Sequence, residues 1–143
     1  MQTALVSIIP IYQRNGFLVV FLMSVLSASK ECHQIIQDSS IHIQTLKYLL
    51  ISVKDSEYES IYYLRILSNC VSNETVLMAK DLIQDYNYLF KECLKLLLQS
   101  NINVLKKECI GLVGNLLNHP LPLVTAFGLE ILEENYNSVK HFF

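Results

Sequence analysis

Three segments of this chain resemble one another, and their spacing constrains the fold more than any other feature. They are FLVVFLMSVLSAS from Phe17, SIYYLRILSNCVSN from Ser60 and LKKECIGLVGNLLNH from Leu105. Each is an apolar, helix-like run that ends in a small polar segment. When the segments are aligned on Val25, Asn69 and Asn115, they recur about every 44–46 residues, a period typical of stacked helical repeats. Such arrays offer surfaces to other chains, so we expect a binding protein.

Helical patterns also fill the chain between these segments. In the strongest, from Asn87 to Leu98, apolar residues recur at spacings of three and four. The other predicted helices cover residues 17–26, 31–37, 41–53, 58–71, 76–85 and 105–117. Asn118, His119 and Pro120 should end the last of these, because proline does not continue a helix. We find no alternating strand pattern and no glycine-rich loop, which predicts an all-α fold.

The predicted helices group in threes, as a short first helix, a middle second helix and a long third helix. We predict one domain over residues 1–143, with a partial repeat at 1–29, repeats at 30–72 and 73–118, and a partial repeat at 119–143. A single unit does not bury its apolar face, so the units must stack. The predicted fold is a right-handed α-solenoid of armadillo repeats, with about two complete repeats. Its apolar end faces predict a longer parent protein or self-association.

Composition narrows the classes of partner. The chain is 52% apolar and 17% charged, with a net charge of −2. Phosphate binding needs a basic face, so we expect no nucleic acid partner. The cysteines Cys32, Cys70, Cys93 and Cys109 form no CxxC or CxxH pair, and the four histidines are scattered. We therefore expect no metal site and no cofactor, and buried cysteines in a reducing compartment.

The apolar N-terminal third raises the question of a membrane. Its longest nearly unbroken apolar run, Phe17–Leu26, is shorter than the roughly 18 residues that a bilayer span needs. No positive charge precedes the first apolar stretch, which argues against a secretory signal. We interpret the run as a buried helix and expect no membrane partner. A helical membrane-associated protein stays a weaker alternative.

The motifs within the three segments resemble a known family. Phe21, Ser24 and Val25 form the first motif, Leu64, Arg65, Ser68 and Asn69 the second, and Lys106, Lys107, Glu108 and Asn115 the third, with the small Cys109 where alanine is usual. In this order they resemble successive third helices from the middle of the importin-alpha (karyopherin-alpha) armadillo array. ALVSIIPIY from Ala4 resembles the second helix that precedes them. The likeness covers roughly residues 4–110.

This resemblance implies a function and a site. In that family, tryptophan and asparagine side chains of successive third helices line a groove that binds basic nuclear localisation signals of cargo proteins. It implies that Arg65, Asn69, Glu108 and Asn115 contact the peptide, that nuclear import is the function, and that the protein occupies cytoplasm and nucleus. An asparagine amide both donates and accepts, so it can pair with an extended backbone.

The sequence also departs from the family pattern. It contains no tryptophan, Gly111 stands at the tryptophan position of the third motif, and Val25 replaces the polar groove residue of the first. The basic segment through which the family binds importin-beta has no counterpart here, so we expect that partner only through a segment outside this sequence. These departures predict a fragment or a diverged relative with weak affinity.

Simpler interpretations stay open for these residues. Arg65 is equally an ordinary surface arginine, and Glu108 a partner of the neighbouring lysines Lys106 or Lys107. Tyr62 and Tyr63 are more typical of core residues than of groove aromatics. The alternative function is an armadillo scaffold that has lost peptide binding and docks a folded partner. No nucleophile, base and orienting group form a recognisable pattern, so we do not expect an enzyme.

Overall fold

The computed structural model describes residues 17–55 and 57–142, and throughout these residues the regular structure is helical. The helices are α1 Phe17–Leu26, α2 Lys30–Asp38, α3 Ile41–Asp55, α4 Glu57–Cys70, α5 Val76–Asp85, α6 Asn87–Leu98, α7 Asn103–Leu117, α8 Pro122–Glu134 and α9 Tyr136–Val139, followed by a 3-10 turn at Lys140–Phe142. The all-α prediction is confirmed for this part of the chain. The ALVSIIPIY motif and most of the first partial repeat lie outside the described residues.

The predicted helix positions agree with the structure to within two residues at each end. The prediction for α6 matches both ends, and α7 stops at Leu117 as expected. Just beyond that end, the Asn118 side chain donates from Nδ2 to the carbonyl oxygen of Gly114 at 2.9 Å. This bond satisfies one of the backbone acceptors that a helix end leaves open.

Equivalent helices pack on one another along the chain. Helices α2, α3 and α4 form one three-helix unit, and α5, α6 and α7 form the next. The third helices α1, α4 and α7 contact each other in sequence, as do the second helices α3 and α6 and the first helices α5 and α8. The result is a row of third helices in which α4 lies between α1 and α7.

A continuous apolar core runs between these rows. Its fully buried members include Val20 of α1, Tyr63 of α4, Phe90 of α6 and Val139 of α9, so it extends through every unit. The prediction that the Phe17–Leu26 run is a buried helix is only partly correct. Val20 and Met23 are buried, but Leu18, Phe21, Leu22 and Val25 are exposed. These four recur at helical spacing, so α1 keeps one apolar face uncovered by the described residues.

A buried histidine joins the two complete units. His42 of α3 is 1% exposed, and its Nε2 lies 3.1 Å from Oδ2 of Asp81 on α5. Burial lowers the pKa of His42 below its ordinary value, because the imidazolium loses solvation there, while the hydrogen bond to Asp81 acts in the opposite direction. The net shift favours neutral His42 in the folded protein.

We expect the free energy of unfolding to fall as the pH drops below about 6.5, the ordinary pKa of histidine, towards the lower pKa of folded His42. The unfolded chain binds this proton more tightly than the folded one, so protonation favours unfolding. Denaturant midpoints at about pH 7.5 and pH 5.5 would measure the effect. His42→Gln removes this group and should reduce the dependence, leaving a contribution from His119, whose pKa burial also lowers. If the free energy of unfolding fell by the same amount in that variant, the pH dependence would belong to other residues.

Candidate binding face on the third helices

The third helices present aligned positions that form one surface, which we call the third-helix face. It comprises Leu18, Phe21 and Val25 of α1, Tyr62, Arg65 and Asn69 of α4, and Glu108, Gly111 and Asn115 of α7. Positions three and four apart lie on the same side of a helix, so each triplet forms one stripe. All four residues implied by the importin-alpha resemblance fall on this face.

Two of those residues pair directly across neighbouring helices. Nε and Nη2 of Arg65 lie 3.2 and 2.9 Å from Oε1 of Glu108, 43 positions further along the chain. The pair is partly solvated, because the Arg65 and Glu108 side chains are 49% and 29% exposed. Glu108 thus binds Arg65, and the expectation of a pair with Lys106 or Lys107 is wrong. The helical stacking sets this choice, since it places α4 beside α7.

One aromatic ring contacts this ion pair, and a second ring packs on the first. The Arg65 guanidinium carbon lies 5.5 Å from the centre of the Tyr62 ring, within the range of a cation–π contact. The ring of Phe21 meets Tyr62 edge to face at 5.4 Å and 82°. Phe21, Tyr62, Arg65 and Glu108 therefore form a continuous row of contacts across all three third helices.

The two asparagines each bind the preceding third helix or its end. Asn69 donates from Nδ2 to Oγ of Ser27, directly after α1, at 2.9 Å. Asn115 donates from Nδ2 to the carbonyl oxygen of Ser68 at 3.0 Å and lies 2.8 Å from Oγ of the same serine. Both asparagines are half-buried. Each amide therefore links two consecutive third helices.

The Asn115 bond also fixes which way its amide points. The backbone carbonyl of Ser68 can only accept, so the NH2 group of Asn115 must face it. Among the described residues, Oδ1 of Asn115 has no hydrogen-bond partner. That oxygen can accept a hydrogen bond from a ligand backbone N–H. Nδ2 of Asn115, in contrast, already donates to Ser68. A bound peptide could therefore use the oxygen of this amide as an acceptor more readily than its nitrogen as a donor.

An open cleft of about 530 Å³ lies between α4 and α7. Its lining residues, which define the α4–α7 cleft, are Ser68, Val104, Lys107, Glu108, Gly111 and Asn115. A Cβ atom at Gly111 would meet no atom within 4 Å. The position where the family carries tryptophan is therefore vacant and leads into the cleft.

The charges on this face do not make it acidic. Arg65 neutralises Glu108, and the exposed Lys107 adds a positive charge beside the cleft. Lys106 lies 5.9 Å above the ring of Phe142, which holds it near the chain end. A basic ligand would have to compete with Arg65 for Glu108, the one carboxylate among the described residues that line the cleft.

Other candidate residues have structural roles. By sequence, Tyr62 and Tyr63 are both more typical of core residues; Tyr63 is buried in the core, whereas Tyr62 is half-buried on the third-helix face. All four cysteines are free and buried. Burial raises the pKa of Cys70 and of Cys93 to about 12, so neither thiol is a nucleophile near neutral pH.

Metal-binding and membrane-spanning features are scarce among the described residues. No group of three or more histidine, cysteine, aspartate or glutamate side chains in this part of the chain is arranged to hold a metal ion. No single described helix is long and apolar enough to cross a membrane. Leu18–Leu26 and Lys30–Asp38 pass that test together by length and composition, with a bend of 118° between them.

Sequence reasoning missed several residues of the site. Ser27 accepts the hydrogen bond from Asn69, and Val104 and Lys107 line the cleft. The serine acceptors have a recognisable signal, because Ser27 and Ser68 precede their asparagines by 42 and 47 positions, close to one repeat period. A serine about one period before each motif asparagine would have suggested these bonds.

Comparisons with protein-family models, curated proteins and solved structures found no match for this chain. The importin-alpha resemblance therefore depends on the motifs and on their order along the sequence. It stays a prediction.

Proposed function

We propose that this chain is a short armadillo-type solenoid that binds an extended polypeptide segment across its third helices. The stacking of equivalent helices in three-helix units supports the armadillo architecture. The motif order supports an importin-alpha-like adaptor that recognises basic nuclear localisation signals. In this proposal the peptide crosses α1, α4 and α7 in turn.

The observation that carries the proposal is the placement of Asn69 and Asn115. They lie at equivalent positions of consecutive third helices, and each is held by a hydrogen bond to the helix before it or to that helix's end. A side chain that is already fixed loses little conformational entropy when it binds a ligand. Two such amides, one repeat apart, can each accept a hydrogen bond from an extended backbone, as neighbouring strands do.

A second candidate function is a scaffold that docks a folded protein. The Arg65–Glu108 ion pair favours it, because each of these two charged side chains already has a partner on the neighbouring third helix. The apolar face of α1 favours it as well, since the described residues leave Leu18, Phe21, Leu22 and Val25 exposed on one side of that helix.

We expect a fluorescent peptide rich in lysine and arginine to bind saturably, and Asn69→Ala and Asn115→Ala each to weaken binding about 5- to 10-fold. Loss of one hydrogen bond, about 1–1.4 kcal/mol, corresponds to that change. Fluorescence anisotropy at two salt concentrations would measure it, with an all-alanine version of the peptide as ligand control. Asn118→Ala is the protein control, because Asn118 lies beyond the last residue of α7 and its amide caps that helix rather than joining two third helices.

The outcomes separate the two candidates. Equal affinity in Asn118→Ala and wild type, with weaker binding in the two groove variants, would support peptide recognition. If the protein is helical by circular dichroism and yet binds no basic peptide at high concentration, that result would favour the scaffold function over peptide recognition. Equal losses in all three asparagine variants would point to a general effect on α4 and α7 stability.

A further inference from the structure

The groups that surround Arg65 are suited to binding a cationic ligand. Its guanidinium lies 5.5 Å from the Tyr62 ring centre and binds a carboxylate oxygen of Glu108 at 2.9 Å. An aromatic face beside a carboxylate is a favourable site for lysine or arginine, because the ring quadrupole and the negative charge both attract the cation. We call Tyr62 and Glu108 the cation subsite.

We propose that the cation subsite receives a lysine or arginine side chain of a bound basic segment, and that Arg65 occupies it in the free protein. This inference rests on the proposed peptide-binding function. Arg65 is then an internal competitor for the ligand, and its displacement accompanies binding. The groove would bind basic peptides weakly until Arg65 moves.

The exposure of Arg65 makes the displacement feasible. Its side chain is 49% exposed, and ion pairs at such positions stabilise proteins only slightly, because water and salt screen them. Arginine also has a long, flexible stem that can carry the guanidinium into solvent. Glu108, by contrast, is 29% exposed and stays in place.

The subsite itself is packed against α1 on one side and open on the other. Phe21 holds the Tyr62 ring edge to face at 5.4 Å, across the contact between α1 and α4. On the other side Glu108 lines the α4–α7 cleft of about 530 Å³, and the missing side chain at Gly111 widens the approach. An incoming lysine or arginine stem therefore has room beside the carboxylate that Arg65 now binds.

The test compares two variants that remove the same charge. We expect Arg65→Ala to bind the lysine- and arginine-rich peptide about fivefold more tightly than wild type, equivalent to about 1 kcal/mol. Lys107→Ala also removes one cation, from the lining of the cleft, but leaves the subsite occupied by Arg65, so its affinity should rise by less than about twofold. In the double variant Arg65→Ala/Glu108→Gln the gain should disappear. Circular dichroism would verify that each variant is folded.

Each result supports or overturns the inference. Tighter binding in Arg65→Ala that depends on Glu108 supports it. Equal gains in Arg65→Ala and Lys107→Ala would overturn it in favour of a net-charge effect. Weaker binding of the basic peptide in Arg65→Ala, or loss of an acidic peptide that wild type binds, would make Arg65 a ligand-contacting residue and overturn it.

The same titration distinguishes failure of the inference from failure of the proposed function. Binding by wild type with no change in Arg65→Ala overturns only the occupancy by Arg65. Absence of binding in wild type and all three variants overturns both. A second readout is the NMR signal of the Arg65 Nε–H group, which donates to Glu108 and should shift when a basic peptide displaces it.

Discussion

Replacement of Phe90 by alanine should lower the free energy of unfolding by about 3–5 kcal/mol. Phe90 of α6 is fully buried, and its ring stacks on Phe127 of α8 at 5.3 Å and 28°. Truncation removes the apolar contacts of the ring and leaves a cavity between the second unit and α8. Because domains are stable by about 5–15 kcal/mol, this is a large part of the total.

Denaturant unfolding followed by circular dichroism would measure the loss. Tyr88→Ala is the matched control, because Tyr88 is an aromatic residue of the same helix but is 76% exposed. We expect the free energy of unfolding of this variant to stay within about 0.5 kcal/mol of the wild-type value. A Phe90→Ala variant as stable as Tyr88→Ala would show that α6 and α8 do not share a core in solution.

The second large effect concerns Gly128, where α8 approaches α7 closely. A Cβ atom there would lie 3.0 Å from Cβ of Leu116 and 3.2 Å from the backbone nitrogen of Leu117. These atoms are fixed to the α7 backbone and cannot move aside cheaply. We expect Gly128→Ala to lower the free energy of unfolding by about 1–3 kcal/mol, the usual range for overpacking, even though alanine favours the helix.

Gly114→Ala is the matched control for Gly128→Ala, and its effect on the free energy of unfolding should have the opposite sign. A Cβ at Gly114 would meet no atom within 4 Å, and this residue lines an apolar cavity of about 110 Å³ between α6, α7, α8 and α9. Helix propensity and the buried methyl group should together raise stability by about 1–2 kcal/mol. Stability changes of the same sign in both variants would contradict the close packing of α8 on α7.

The helix predictions succeeded where the signal is local. Helix α6 was predicted from apolar residues at spacings of three and four, and the end of α7 from Asn118, His119 and Pro120. Both signals act within a few residues along the chain, so they do not depend on the rest of the fold. The exposure of Phe21 and Val25 was missed, because composition shows that a helix is apolar but not which of its faces has a neighbour.

In the candidate site, too, local signals were predictable from the sequence and tertiary contacts were not. The motifs identified Arg65, Asn69, Glu108 and Asn115, and the structure places all four on the third-helix face. Their partners did not follow from the motifs. A lysine adjacent in sequence was the expected partner of Glu108, yet Arg65 reaches it because α4 packs beside α7. Helix geometry separates consecutive residues around the axis, whereas stacking joins residues one repeat apart.

By itself, the sequence determined that the described chain is helical, where its helices up to residue 117 begin and end to within two residues, and which positions recur with the repeat. Periodicity and chain-breaking residues carry that information over short distances. Only the tertiary structure decided that Arg65 binds Glu108, that Asn69 binds Ser27 and that Asn115 binds Ser68, across 43, 42 and 47 positions. Those contacts depend on the offset and rotation between stacked helices, which are set by packing of the whole core rather than by any local pattern.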